Sequence, residues 1–310
     1  MTKITDTIYA YPFRRSNAWH KCSGKLPLRM TNDFLFRAIL QTDNKTLIAL
    51  IAALLGKEER QILSATITNP IMLGDSIENK YFVLDVRVLM NDDTMLNLEM
   101  QVCDEHNWSD RSLGYLCRLF DNLNRGDAYE DTKAAIQFSF LDFTVFEEHP
   151  EFFASYKLLH TREGYPYTDK FQLHIIDLTN IHLATGRDKA YRLDLWARMF
   201  KARTWEDLKM LAKESKAIDE AVSVVYQLSE DDIIREQCRQ RDEFYLRQEM
   251  ERLRLQRAHD KLKETEEKLG ATEEKLGATE EKLGAAEEKL GAAEEEIKKL
   301  KKKLRELSAS

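Results

Sequence analysis

Two carboxylates set inside strand-patterned sequence constrain this chain more than any other feature. In Lys80–Val102, KYFVLDVRVLMNDDTMLNLEMQV, apolar residues recur at alternate positions: Phe82, Leu84, Val86 and Val88, then Leu96, Leu98, Met100 and Val102. Strand side chains alternate in direction, so the spacing predicts two strands, joined as a hairpin by the turn-rich Asn91-Asp92-Asp93-Thr94. The other rows are polar, with Asp85 and Arg87 on the first strand and Asn97, Glu99 and Gln101 on the second. Acids in such surroundings cost free energy unless they are paired, hydrogen-bonded or bound to a metal. Glu99 and Gln101 must share a face. Asp85 joins them only in some registers: a two- or four-residue loop sets it opposite Met100, whereas a three- or five-residue loop or a β-bulge sets it opposite an odd-numbered residue. A shared site therefore demands an odd loop or a bulge.

Asp85, thirteen residues, then Glu99-Met100-Gln101 resembles the D…(E)xK core of the PD-(D/E)XK nuclease superfamily. More closely, it resembles the recombination-promoting nucleases, also called PD-(D/E)XK family transposases. The flanks agree: a first helix over Asn32–Leu40, a helix in RSLGYLCRLFDNL with Arg111 and Tyr115 on one face, and strands at Ala134–Phe143 and Phe171–Leu178. The likeness covers roughly Met30 to Asp260. It implies a restriction-endonuclease-like α/β core, a mixed central sheet flanked by helices. It also implies a DNA endonuclease that hydrolyses phosphodiester bonds, linked to recombination, mobile DNA or defence. Asp85 and Glu99 would hold Mg²⁺, with Mn²⁺ as a substitute, and Gln101 would complete the catalytic set. Magnesium suits this donor set because it takes one or two carboxylates and keeps several waters. Gln101 stands where the broad superfamily has lysine; its amide can orient a water but supplies no charge.

Other residues have two readings each. Asp33 is either a third acid at the metal or an acid favoured by the dipole at a helix N-terminus. Lys80 either contacts phosphate or ends a strand in solvent. Arg111 and Tyr115, four residues apart on one helix, face the phosphate or pack on the sheet. Asp85 itself is either a metal ligand or a buried acid paired with Arg87 or Arg111.

Composition narrows the rest. The chain has 310 residues, a formal net charge of −7 and 43% hydrophobic residues, enough for one large or two small domains and a tail. LIALIAALLG is its longest apolar run, too short for a membrane helix and better read as a helix of the core. With no secretory signal in view, we expect a cytoplasmic protein with no membrane partner. Cys22, Cys103, Cys117 and Cys238 show neither disulfide nor zinc spacing, and Cys103-x-x-His106 is half a motif. The acidic balance counts against a broad DNA-binding surface, which needs a basic stripe. Arg235–Arg257 is arginine-rich, yet Glu236, Asp242, Glu243, Glu249 and Glu251 offset it, as on a solvated mixed-charge helix.

We divide the chain into four parts. Residues 1–29 form a basic, poorly ordered extension, with a nucleic-acid arm as the other reading. Residues 30–187 form the nuclease core and 188–260 a helical region, where Thr204 and Asp207 read as a capping box. The boundary falls in the loop-prone 179–190. Residues 261–310 form a heptad-repeat coiled-coil tail, with Leu262, Leu269, Leu276, Leu283, Leu290, Ile297 and Leu304 seven apart. Gly270, Gly277, Gly284 and Gly291 each cost about 1 kcal/mol relative to alanine, so pairing between chains is needed to hold such a helix. The tail and helical region thus predict a homo-oligomer. A second functional reading is a weak or inactive relative that acts as an interaction module through these same parts.

Overall fold

A computed structural model of the protein describes residues 13–71, 85–123 and 125–307. The predicted apolar positions Phe82 and Leu84, and Lys80, lie outside the described residues. The chain divides into two compact units, Met1–Leu246 and Arg247–Ser310.

The first unit is built on a six-stranded sheet in the order β1-β2-β3-β4-β6-β5. Its strands are β1 (Ala65–Ile67), β2 (Val86–Met90), β3 (Met95–Gln101), β4 (Ala135–Leu141), β5 (Phe153–Lys157) and β6 (Phe171–Asp177). β3, β4 and β6 are mutually parallel, and the remaining pairs are antiparallel. Every residue of β4 is buried, as expected for a central strand covered on both faces. The hairpin and the strands predicted around 134–143 and 171–178 are present. The short edge strands β1 and β5 were not expected.

One face carries the main core. Helices α1 (Asp33–Thr42) and α2 (Asn44–Leu55), α5 (Leu193–Lys201), α6 (Trp205–Glu214) and α7 (Lys216–Glu230) bury their apolar sides there with Leu96, Leu98, Phe138 and Phe140. Phe36, Phe140 and Phe200 join α1, β4 and α5, with ring centroids 5.3–5.4 Å apart. α2 is the helix expected from LIALIAALLG. Among the described residues, no single helix is long and apolar enough to cross a membrane. The opposite face is covered by α3 (Trp108–Phe120), which connects parallel strands β3 and β4 and lays Trp108, Leu116 and Leu119 against Leu141, Ile175 and Ala135.

Two sequence expectations change here. From Phe13 onward, the segment expected to be poorly ordered is part of the fold. Trp19 is 1% exposed, Ser16 exchanges hydrogen bonds with Ser223 on α7 at 2.9 and 3.0 Å, and Leu26 N donates to Arg203 O. Its aromatic and leucine side chains fill the space between helices instead of waiting for a ligand. Second, the helices after residue 187 share one core with those before it, and the division of the chain falls at Leu246. The stretch 179–190 contains a short turn and α4 (Gly186–Ala190), capped by Thr185. The predicted capping box is present: Asp207 N donates to Thr204 Oγ1 at 3.1 Å, and Thr204 N donates to the Asp207 carboxylate at 3.0 Å.

Helix α8 is Asp232–Leu307. In the second unit all seven heptad positions named above are more than half exposed, and nothing lies near the open side of Gly270, Gly277, Gly284 or Gly291.

Candidate metal centre and active site

The register of the β2–β3 hairpin decides whether the acids meet. Met90 N donates to Thr94 O at 2.9 Å, leaving Asn91-Asp92-Asp93 as a three-residue loop. Asp93 closes it at φ +59°, the left-handed position that such a loop requires and that aspartate tolerates better than most residues. The odd loop demanded by the sequence is therefore present. Val86 lies opposite Leu98 and Arg87 opposite Asn97; one step further, Asp85 falls opposite Glu99. The parallel partner continues the face, with Gln137 beside Asn97 and Ser139 beside Glu99.

This polar face is buried. Asp85, Asn97, Glu99 and Gln101 are between 2% and 7% exposed, and Gln137 and Ser139 are fully enclosed. Asn97 Nδ2 donates to Gln137 Oε1 at 2.8 Å, and Gln137 Nε2 donates to Ser139 Oγ at 3.2 Å. The two acids have the same environment in outline. Arg87 Nε donates to Asp85 Oδ2 at 3.1 Å, and Arg111 Nη2 donates to Glu99 Oε1 at 3.1 Å. Their other oxygens, Asp85 Oδ1 and Glu99 Oε2, are buried with no hydrogen-bond partner among the described residues. A lone pair left unsatisfied in this way is costly, and a cation between the two acids would satisfy both.

Electrostatics point the same way. Burial pushes the Glu99 carboxyl up to about 7, despite the pull of Arg111, and the negative charges of Asp85 and Asp33 add to the rise. One arginine on one oxygen does not offset the desolvation of the whole group. Among the described residues, no group of three His, Cys, Asp or Glu side chains is placed to hold a metal ion. Asp85 and Glu99 would offer two carboxylates, to be completed by carbonyl or water oxygens. That set fits a hard divalent cation better than zinc, whose sites are built from nitrogen and sulfur ligands.

α3 delivers the counter-charge. Trp108, Arg111, Ser112 and Tyr115 recur at three- and four-residue spacing on its sheet-facing side. Arg111 Nε donates to Tyr115 Oη at 3.1 Å, and its guanidinium lies 5.6 and 5.4 Å from the Trp108 and Tyr115 ring centroids. Arg111 thus bridges Glu99 and Tyr115. Gln101 Nε2 donates to Cys103 O at 3.0 Å, which holds the amide at the end of β3.

Asp33 is drawn elsewhere. Its carboxylate accepts from Phe34 N at 2.9 Å, from Arg241 Nη2 at 2.7 Å and from Tyr245 Oη at 2.5 Å. It ties the start of α1 to the first turns of α8, while Asn32 caps α1 at Leu35 N and donates to Cys238 O. The sequence did not single out several supporting residues. Asn69 Nδ2 and the buried Arg37 guanidinium both donate to the Asp85 carbonyl, and Asn97, Gln137 and Ser139 carry the polar row. The polar breaks in the apolar strand AIQFSFL were the available signal for Gln137 and Ser139.

Two outcomes test this arrangement. Asp33→Ala leaves Arg241 and Tyr245 without their acceptor and should destabilise the protein by about 3 kcal/mol in urea unfolding; a change below about 0.5 kcal/mol refutes the tie. For Glu99, the folded carboxyl holds its proton more tightly than the unfolded one. Metal-free protein should therefore lose stability as pH rises from about 4.5 through about 7, by an amount on the order of 3 kcal/mol. Glu99→Gln should flatten that slope in melts taken between pH 5 and 8; an unchanged slope contradicts the assignment.

Comparison with known proteins agrees with the geometry. A family model described as PD-(D/E)XK nuclease family transposase matches residues 30–253. No match is found among curated proteins or solved structures. The mixed sheet with flanking helices is consistent with a restriction-endonuclease-like α/β fold, and nucleases of this superfamily typically use divalent metals. The family match spans the opposed acids, α3 with its arginine, and the start of α8 that holds Asp33, so this chain belongs to the PD-(D/E)XK nuclease family transposases.

Proposed function

We propose that the protein is a Mg²⁺-dependent DNA endonuclease, with Mn²⁺ as an alternative metal, and that Asp85 and Glu99 are its carboxylate ligands. The observation that carries this reading is the pair of buried, partnerless oxygens on residues facing each other across β2 and β3. When bound, such a cation polarises the scissile phosphate and lowers the pKa of a water. The residues of the chain divide the remaining work. Arg87 and Arg111 each hold one oxygen of an acid and so orient the other. Both arginines also place positive charge where a phosphate must approach two carboxylates. With its Nε2 engaged by Cys103 O, Gln101 presents its Oε1 to accept a hydrogen bond from the attacking water. Family membership supports a role in recombination or mobile DNA.

The tail supports self-association. Its exposed heptad stripe matches the seam of a coiled coil, and the glycines weaken an unpaired helix. We propose a homo-oligomer joined there, a form suited to cutting two strands with two sites.

Supercoiled plasmid should be cleaved with Mg²⁺ or Mn²⁺ but not with EDTA, and Asp85→Ala or Glu99→Ala should abolish cleavage. Arg111→Ala should lower the rate by about 10–100-fold. Equal cleavage by wild type and Glu99→Ala would place the activity elsewhere. For assembly, light scattering on the full chain should give a multiple of 36.3 kDa, falling to the monomer mass in Leu269→Glu/Leu276→Glu/Leu283→Glu. A monomeric wild type at micromolar concentration overturns the oligomer.

A further inference from the structure

A protein of net charge −7 that works on a polyanion at two buried acids needs local positive charge to hold its substrate. The sequence offers two basic stretches, the N-terminal segment and Arg235–Arg257, and neither by itself forms a basic stripe. In the second, arginines are paired with neighbouring acids on the same helix, as in Arg239 with Glu236 and Arg252 with Glu249. The first is folded into the protein from Phe13 onward, and its path there builds something the sequence does not display.

Where residues 25–31 pass the end of α5, they enclose an open groove of about 650 Å³. Lys25 and Arg29 line one side, Lys201 and Arg203 the other, and the acids Asp142 and Asp242 are also in the lining. Four cations thus face two carboxylates. Asp142 is shared by Lys201 and by Arg29, the latter at 3.4 Å. The side chains of Lys25 and Arg203 are exposed and have no acidic partner among the described residues. Backbone bonds fix the two sides: Lys25 bridges to Thr204, and Leu26 N donates to Arg203 O at 2.9 Å. The cations are therefore mounted on a set framework.

The groove opens at the active-site end of the sheet. Asp142 directly follows the last residue of β4, and its N–H donates to Gln101 O at 3.0 Å. Asp242 accepts from Asn32, the residue that caps α1 beside Asp33. Asp142 thus places the groove beside the carboxyl ends of β3 and β4. In open α/β sheets, ligands bind beyond those ends.

We propose that this groove holds the sugar-phosphate backbone of the DNA on its way to Asp85 and Glu99, with Lys25 and Arg203 contacting phosphates directly. The inference rests on the nuclease reading and adds to it the path of the substrate. A polynucleotide fits better than a small anion. The cations stand on two separate segments along an open groove beside the carboxyl ends of β3 and β4, a layout suited to successive phosphates rather than to one enclosed group. Contacts of this kind position the duplex and carry no sequence information.

The test is binding of a fluorescent 30-base-pair duplex to the full chain in Ca²⁺, measured by anisotropy over a salt series. Removing two phosphate contacts in Lys25→Gln/Arg203→Gln should weaken binding about ten-fold and lower the slope of log K against log salt by about 2. A second variant, Lys57→Gln/Lys189→Gln, removes the same charge from exposed positions outside the groove and should keep the wild-type slope. An unchanged slope in the groove variant, or an equal loss in both variants, overturns the groove. Plasmid cleavage by the wild type would still stand in that case, so the nuclease reading would survive. A wild type that neither binds duplex at low salt nor cleaves plasmid removes both.

Discussion

Burying Glu99 opposite Asp85 is the unfavourable placement on which the proposed catalytic face depends. Two carboxylates out of water raise each other's energy, and the desolvation of Glu99 outweighs the arginine beside it. Isolated, the arrangement would relax by exposing the acids. It persists because neither acid stands on an element free to move. β3 is paired on both sides, antiparallel to β2 and parallel to β4, and the Asp85 carbonyl is gripped by Arg37 and Asn69. The core on the far face, with the Phe36, Phe140 and Phe200 cluster at its centre, holds the sheet. The strain shows at the partnerless Asp85 Oδ1 and Glu99 Oε2, where a bound cation would relieve it. Strain of this kind belongs at functional sites, held in place by the rest of the fold.

Topology supplies the counter-charge. A parallel β3–β4 pair needs a crossover, and a helix is the usual one. Here that helix is α3, and its first turns cross the polar face of the sheet, which puts Arg111 over Glu99. The same connection that makes the sheet parallel therefore completes the site. Asp33 shows the opposite solution for a buried acid. Satisfied by Arg241, Tyr245 and its own helix N-terminus, it has become a structural tie, and the start of α8 is built into the catalytic unit through it. The family match, which runs to residue 253, includes that tie.

Period carried most of the sequence reading. The hairpin, the first two helices, α3 and strands β4 and β6 are long enough for alternation or helical spacing to register, and the demand for an odd loop followed from parity alone. β1, with three residues, and β5, mostly exposed at the sheet edge, offer too little pattern. The partners of the acids were legible only in part. Arg87, two residues on, was one named partner of Asp85 and is bonded to it; Arg111, the other, pairs with Glu99 instead, and Arg241 lies 208 positions from Asp33. The N-terminal segment misled for a related reason. Interleaved basic and aromatic residues look the same whether the rings stack on bases or, as with Trp19, fill a core. The boundary expected near residue 187 failed on the same point: turn-forming composition marks a loop, while a domain boundary depends on whether the apolar faces on either side meet.

Net charge was the least informative quantity. At physiological salt an exposed charge is screened within about 8 Å, so the summed charge of the chain says little about the potential at any one site. What counts locally is the handful of charges within a few ångströms: Arg87 and Arg111 on the acids of the proposed site, and four cations in the proposed DNA groove. Those cations come from sequence positions about 175 residues apart, and backbone bonds between residues 24–26 and 203–205 help bring them together. An acidic chain can therefore carry a basic path without any basic stripe in its sequence. The fold that buries Trp19 and Leu26 for stability mounts Lys25 opposite Arg203 as a consequence.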